Sequence, residues 1–138
     1  MAVFTKYNSF IDELSTGGHN LKTDVLKLAL TNTAPVAASD TTMGYPPPSN
    51  ADGYPTGGNA ISVTSAATAG GIFRLVAADN LFTAGPAGIG PFRYVVLYNS
   101  TKSNKLVGFY DYGSSITLNN TDTFTTDFDN VNGVLTIQ

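Results

Sequence analysis

Apolar residues recur at every second position along much of this chain, and this pattern predicts strands. The clearest example is residues 24–31, where Leu26, Leu28 and Leu30 occupy alternate positions. Successive side chains of a strand point to opposite faces, so the pattern indicates one buried and one exposed face. Further strands are predicted at the spacing of a sandwich or barrel, at residues 61–68, 72–78, 81–82, 92–98, 105–112, 116–118, 123–128 and 134–137.

One helix is predicted near the start of the chain, over about residues 5–16. Thr5 is suited to the N-cap position. Gly17 and Gly18 follow the apolar positions, and glycine just past a helix accepts a positive φ and ends it. Four side chains share one helical face that we expect to cover the end of a sheet, namely Tyr7, Phe10, Ile11 and Leu14.

A segment rich in Gly and Pro, about residues 36–59, is predicted to form a long loop. Three consecutive prolines favour an extended polyproline II course, and two Gly-Tyr-Pro triplets place Tyr45 and Tyr54 in this loop, away from any sheet core. Long loops inside a domain are usually functional or disordered. The sequence leaves open whether this loop is ordered before it binds a partner.

These elements predict a single β-sandwich domain over residues 1–138. The fold class is all-β: an antiparallel two-sheet sandwich, jelly-roll-like, with one short N-terminal helix. An immunoglobulin-like sandwich is the alternative. The composition agrees, because Thr occurs 18 times and Gly 14 times, whereas the chain has one Glu.

The charge content argues against several classes of partner. Charged residues make up 12% of the chain, the net charge is -3, and the seven basic residues are scattered. Binding to nucleic acid requires clustered Lys and Arg, so we expect no nucleic-acid partner. No apolar run approaches the roughly 18 residues of a membrane span, so we expect no membrane partner. The N-terminus lacks the layout of a signal peptide, which favours a cytoplasmic site of synthesis.

Catalytic chemistry has few candidate residues. The chain has no Cys and one His, His19, so no zinc site rich in nitrogen or sulfur can form within it. A Ser-His-Asp triad would depend on His19, which we interpret as a solvated turn residue. Four aspartates flank strand ends or turns, where Asp commonly binds nearby backbone: Asp111, Asp122, Asp127 and Asp129. We expect no enzyme activity, no catalytic residue and no cofactor.

Metal binding has one candidate segment, the oxygen-rich residues 127–133. An EF-hand loop needs an oxygen ligand at its fifth position, where this segment has Val131. The segment therefore predicts a hairpin turn and no metal ligand. A weak calcium site near Asp127 and Asp129 stays open at this point.

Tyrosines concentrate on the two strands predicted to pair at residues 92–98 and 105–112. Tyr94 and Tyr98 share one face of the first strand, and Tyr110 and Tyr112 share one face of the second. If the register brings these faces together, a tyrosine cluster results. Such a cluster is either a core edge with wet hydroxyls, an interface anchor or a platform on which sugars stack.

Several segments resemble those of a known family. In order they are residues 4–10 with Gly-His-Asn-Leu after them, then residues 28–35, 53–59, 93–99, 108–115 and 133–135. They resemble small structural proteins encoded in the head-gene region of tailed bacteriophages, some of which are similar to jelly-roll cement (decoration) proteins. These motifs are strand and turn sequences.

The resemblance implies a structural virion protein on the capsid exterior that cements neighbouring capsid subunits. It implies synthesis in the bacterial host cytoplasm, the major capsid protein as partner, and self-association, with a dimer favoured and a trimer possible. The alternative function is a carbohydrate- or receptor-binding module of a phage fibre or appendage. The candidate protein-contact residues are Val3, Phe4, Tyr7, Tyr45, Pro46, Pro47, Tyr54, Tyr110 and Tyr112.

Overall fold

Eleven strands and one helix form the fold in the computed structural model, which describes residues 2–138. Every strand pairing in this range is antiparallel. In chain order the elements are β1 (Phe4–Lys6), α1 (Asn8–Ser15), β2 (Leu26–Thr31), β3 (Asn50–Ala51), β4 (Asn59–Ala60), β5 (Val63–Ala69), β6 (Ile72–Ala77), β7 (Asn80–Thr83), β8 (Ile89–Asn99), β9 (Lys105–Leu118), β10 (Thr123–Thr126) and β11 (Leu135–Ile137).

The strands form one large sheet and two small ones. The large sheet has the order β1-β9-β8-β2-β4, with β3 also paired to β8, and the small sheets are β10-β7 and β11-β6-β5. The Lys6 ammonium donates a hydrogen bond to the Thr136 carbonyl of β11 at 2.6 Å. The ring of Tyr112 on β9 lies 5.2 Å from that of Phe124 on β10. The small sheets thus cover one face of the large sheet, which confirms the all-β sandwich.

The core sits on both faces of the central strands. Val95, Val96 and Leu97 of β8 are consecutive and have no exposed surface. Adjacent residues of a strand point to opposite faces, so β8 is covered on both sides. The small sheets cover the inner face, and the long loop covers the outer face.

The long loop is fixed to that outer face by hydrogen bonds from the sheet. The Thr31 hydroxyl donates to the Pro46 carbonyl at 2.8 Å, and the Tyr98 hydroxyl donates to the Gly57 carbonyl at 2.6 Å. The structure also places two short strands, β3 and β4, within the segment that the sequence presents as a loop. The backbone of the segment is therefore tied to the sheet at several points.

The helix is shorter than predicted, and Thr5 is not its N-cap. Thr5 lies in β1 opposite Phe109, because pairing with β9 satisfies the backbone that a longer helix would have used. Tyr7 holds the N-cap position without a capping hydrogen bond from its side chain. Of the face predicted to be apolar, Ile11 is 58% exposed. The predicted glycine ending is confirmed, since Gly17 has φ +82°.

The sequence predicts a turn at residues 113–115, but the structure has none there. β9 runs without interruption to Leu118, and its pairing with β8 is irregular between Phe92 and Tyr94. Gly113 takes φ +83°, and its N–H donates to the Asp111 carboxylate at 2.8 Å. The Gly-Ser-Ser segment therefore forms an irregularity inside a strand. The predicted hairpin loop at residues 100–104 is confirmed.

Candidate functional site

The tyrosines of β8 and β9 do not form the single cluster that the sequence suggested. Tyr110 lies directly opposite Val95, so these two side chains share a face. Tyr98 is three positions beyond Val95 on β8 and therefore points to the other face. The register places Tyr98 in one groove and Tyr110 and Tyr112 in another, on opposite faces of the large sheet, whereas Tyr94 lines neither groove.

The first groove, named the inter-sheet groove, opens between the large sheet and the small sheets. Its volume is about 360 Å³. Aromatic side chains form one wall, and the other wall comes from β10 and the turn that precedes β11. The lining residues are Ala2, Phe4, Tyr110, Tyr112, Thr125, Asp127, Asp129, Gly133 and Val134.

Strand β1 supplies part of the aromatic wall through Phe4. The centroid of the Phe4 ring lies 5.1 Å from that of the Tyr110 ring. The Phe4 ring also packs against Gly108, and a Cβ added at Gly108 would lie 2.3 Å from the Phe4 ring. Glycine is thus required at position 108 for this ring to lie flat against β9. Burial raises the pKa of Tyr110, so its phenol stays protonated and available as a hydrogen-bond donor. Val3, next along the chain, is 78% exposed.

The second groove, named the loop groove, lies between the long loop and the outer face of the large sheet. Its volume is about 460 Å³. Two tyrosines from the loop and one from β8 give it an aromatic lining with hydroxyl groups. The lining residues are Leu30, Met43, Gly44, Tyr45, Pro47, Ala51, Tyr54, Thr56, Gly57, Tyr98 and Asn104.

The sequence suggested that Tyr54 lies away from the sheet, and the structure corrects this. Its ring packs 5.7 Å from that of Phe82, and its hydroxyl oxygen accepts the Leu30 N–H at 3.0 Å. β4 pairs with β2 only at Lys27 and Leu28, so the Leu30 N–H lies beyond the end of that ladder. The Tyr54 hydroxyl satisfies this edge group and fixes the wall of the loop groove.

Tyr45 also packs against the domain, through its hydroxyl. The Tyr45 hydroxyl donates to the Asp40 carboxylate at 2.5 Å, and the Tyr7 hydroxyl oxygen lies 3.1 Å from the Tyr45 hydroxyl oxygen. The hydrogen bond from Tyr45 holds the pKa of Asp40 below its usual value. Burial, followed by the bond to Asp40, raises the pKa of Tyr45 to about 12. Tyr7 is fully buried, so its ring has no surface to offer a partner.

The structure therefore groups most of the predicted contact residues. Phe4, Tyr110 and Tyr112 line the inter-sheet groove, with Val3 beside them, and Tyr45, Pro47 and Tyr54 line the loop groove. Pro46 is exposed, and its carbonyl accepts the hydrogen bond from Thr31. Tyr7 is buried. Tyr98 belongs to the predicted tyrosine cluster but not to the predicted contact residues, and it lines the loop groove. No sequence signal identified Thr125 or Val134.

His19 is buried and not solvated, which corrects the sequence-based expectation. It is 7% exposed, its ring packs 5.1 Å from that of Phe10, and its Nδ1 lies 3.0 Å from the side-chain nitrogen of Asn99. That amide nitrogen must donate, so Nδ1 accepts and the neutral ring carries its proton on Nε2. Burial lowers the pKa of His19 below its ordinary value. The imidazole therefore has a structural role, because it packs against Phe10 and accepts a hydrogen bond from Asn99.

Three of the four aspartates considered for catalysis or calcium binding, Asp111, Asp122 and Asp129, are engaged in local contacts. Asp111 forms a two-point pair with Arg93 at 2.7 and 3.0 Å, which keeps its pKa low. One oxygen of Asp129 accepts the N–H groups of Val131 and Asn132, both at 2.8 Å. The predicted turn is thus present. Within residues 2–138, no three His, Asp or Glu side chains gather in a metal-binding group.

The comparisons with known proteins add no relative to this picture. No protein-family model, no curated protein and no solved structure matches the chain. Across the described part of the chain, no helix has the length and apolar character needed to span a bilayer. The two aromatic grooves are the features from which a function can be argued.

Proposed function

We propose that this chain is a structural protein of a phage virion that binds the outside of the capsid and cements neighbouring capsid subunits. The observation that carries the proposal is the pair of aromatic grooves on opposite faces of one sheet. A protein that bridges two subunits needs two separate contact surfaces held in a fixed relation. Tyr98 and Tyr110 belong to the two strands of one hairpin, so the sheet itself fixes that relation.

The chemistry of the loop groove supports protein contacts. Tyrosine is enriched among the residues that dominate binding energy at interfaces, and charged residues are depleted from interface cores. The loop groove has no charged residue in its lining, and the whole chain is only 12% charged. The major capsid protein is the partner that the sequence resemblance suggests. The site of action is then the capsid exterior, after synthesis in the bacterial host cytoplasm.

The fixed loop supports tight binding by a small protein. A segment that orders on contact loses binding energy to the entropy of ordering. Here the Tyr54 and Tyr98 hydroxyls and the Thr31 side chain hold the loop against the sheet in the isolated chain. Repeated copies on a capsid lattice then raise the overall avidity above that of one contact.

Sedimentation with assembled capsids tests the proposal. Val3→Asp and Pro47→Asp each place a charge at an exposed position beside or within one groove. Burying an unpaired charge at an interface costs more than about 1.4 kcal/mol, so each change should weaken binding by about tenfold or more. Val36→Asp is the matched control, because Val36 is 51% exposed and lines neither groove.

We expect the wild-type chain and Val36→Asp to sediment with capsids, and both groove variants to stay largely in the supernatant. A wild-type chain that stays in the supernatant contradicts the proposal. So does mass spectrometry that finds no copy of the chain in purified virions. If only one groove variant loses binding, the chain decorates the capsid without bridging subunits.

A second candidate function is carbohydrate binding, and the inter-sheet groove favours it. This groove places the rings of Phe4, Tyr110 and Tyr112 next to two carboxylates, Asp127 and Asp129. Sugars stack on aromatic rings and donate their hydroxyls to carboxylates. A glycan array tests this function, with Tyr112→Ala as the groove variant and Tyr54→Ala as the control in the other groove. An array without any binding removes this candidate.

A further inference from the structure

Strand β5 leaves one backbone edge open along its whole length. It pairs with β6 on one side, and within residues 2–138 no strand pairs with its other side. Six of its seven residues are exposed. The other strands at the edges of sheets are shorter, since β7 and β10 have four residues each, β1 and β11 have three and β4 has two. An open edge is a template for another strand unless something protects it.

Most of the usual protections of an edge strand are missing from β5. Residues 53–73 contain no charged residue, and β5 contains no proline. Edge strands are normally blunted by Lys, by Pro or by a covering segment. At β1 the edge carries Lys6, and beyond β4 the Tyr54 hydroxyl takes up the free N–H of β2. β5 has only the irregular register between Val63 and Ser65 at its start.

The outward-pointing backbone groups of β5 can be assigned from its neighbours. The Val134 N–H donates to the Leu75 carbonyl, so the backbone groups of Leu75 point towards β11. Alternation then turns the groups of Arg74 towards β5, where they meet Ala67. By the same alternation, the N–H and C=O groups of Ala66 and Thr68 point away from β6, into the open edge.

We infer that this edge pairs with the same edge of a second copy of the chain, in antiparallel orientation across a two-fold axis. In the register centred on Ala67, Ala66 exchanges both backbone hydrogen bonds with the partner's Thr68, and Thr68 does the same with the partner's Ala66. The two Ala67 residues then face each other at a close pair, where Cα atoms lie about 4.5 Å apart. Alanine fits such a pair without a clash.

A second copy suits this edge because the pairing is isologous, so one patch serves both subunits and the assembly closes. No like charges oppose each other, since neither edge carries a charge. A single strand pair is at the small end of interface sizes, so the dimer should depend on protein concentration. The inference is independent of capsid binding and is tested without capsids.

Hydrogen exchange at increasing concentration of the full chain tests the pairing. The amides of Ala66 and Thr68 should become protected as the dimer forms. The amides of Ser65 and Ala67 should be protected at every concentration, because they bond to β6. Sedimentation velocity on the same samples should show the dimer appear over the same range.

Substitutions at the edge make the test specific. Ala66→Pro removes one outward N–H and leaves the bonds to β6 intact, so it should abolish the dimer without unfolding the sheet. Ala67→Lys places two like charges opposite each other and should do the same. Ala38→Lys, at an exposed turn position, is the matched control and should dimerise like the wild type.

A chain that stays monomeric up to its solubility limit, with Ala66 and Thr68 exchanging freely, overturns the inference. A dimer that survives both edge variants also overturns it, because the contact then lies elsewhere. Pairing of β5 with a strand of a different protein would leave the isolated chain monomeric and therefore counts against it too. If the inference fails, the capsid sedimentation result is unaffected.

Discussion

The Tyr7 hydroxyl donates a hydrogen bond to that of Tyr45 at 3.1 Å, because Tyr45 uses its own proton to bind Asp40. This relay joins the start of α1 to the long loop. Asp40 in turn accepts the Val36 N–H at 2.8 Å and so closes the base of the loop. The position of the loop groove depends on these hydrogen bonds, and single substitutions can remove them one at a time.

Removing the hydroxyl of Tyr7 should destabilise the fold modestly. Tyr7→Phe loses one buried hydrogen bond, and we expect the free energy of unfolding to fall by about 1 kcal/mol. Tyr45→Phe should cost more, up to about 3 kcal/mol, because it leaves the buried Tyr7 hydroxyl unpaired. Urea unfolding measures both. The double variant should be less damaging than the sum of the single changes, and strict additivity would contradict the relay.

Stability should depend on pH through His19. Its pKa is lowered in the folded state, so the unfolded chain binds a proton at pH values where the folded chain does not. The free energy of unfolding should therefore decrease as the pH falls below the ordinary value of 6.5 and level off below the folded-state pKa. His19→Gln is the control, and urea unfolding at several pH values should show no such slope for it.

The carboxylates predict a second, more acidic loss of stability. Asp40 and Asp129 have lowered pKa values because hydrogen bonds stabilise their charged forms. Their contribution is present above the ordinary Asp pKa of about 3.9 and is lost as the pH falls towards the folded-state values. His19→Gln separates the two effects, because this variant keeps only the loss of stability that the carboxylates cause. If the wild type loses stability just below pH 6.5 and His19→Gln loses it in the same way, the loss does not come from His19.

Gly58 should not tolerate a side chain. It has φ +87°, and an added Cβ would lie 1.8 Å from the Leu28 carbonyl oxygen, which is backbone and cannot move aside. We expect Gly58→Ala to destabilise the fold by about 3 kcal/mol or more, through strain and displacement of the loop. Gly70→Ala is the matched control: its φ is also positive, at +59°, but the space around it is open. It should cost about 1 kcal/mol. Equal losses in thermal unfolding would show that the close contact at Leu28 has no effect.

The turn before β11 should depend on Asp129 and not on Asp127. Asp129→Ala removes the acceptor of two backbone N–H groups and should lower the free energy of unfolding. Asp127 is exposed and lies two residues away. Asp127→Ala should change stability by less than about 0.5 kcal/mol. Thermal unfolding of the two variants checks the difference, and a large effect at Asp127 would indicate a role for its carboxylate beyond the turn.

The sequence by itself determined most of the strands and the end of the helix. The alternation of Leu26, Leu28 and Leu30 reports a strand because period-two burial is a local property of extended backbone. Gly17 ends the helix because positive φ is a local property of glycine. The hairpin between β8 and β9 follows from the polar residues 100–104. None of these features requires knowledge of what the strand packs against.

The candidate site was predictable only in its parts. Tyr45, Tyr54 and Tyr110 were found from the sequence, because aromatic residues in loops and at strand ends are typical of contact surfaces. Their division into two grooves was not predictable. A slip of one residue in strand pairing moves a side chain to the opposite face, and the local sequence of β9 is compatible with both outcomes.

Only the tertiary structure decided that register and the burial that follows from it. Val95 lies opposite Tyr110, which separates Tyr110 from Tyr98 and makes two grooves out of one expected cluster. His19 and Tyr7 are buried by segments distant in sequence, the end of β8 and the long loop. Burial is a property of the whole packing arrangement, so a pattern of neighbouring residues determines which strands form but not which side chains they bring together.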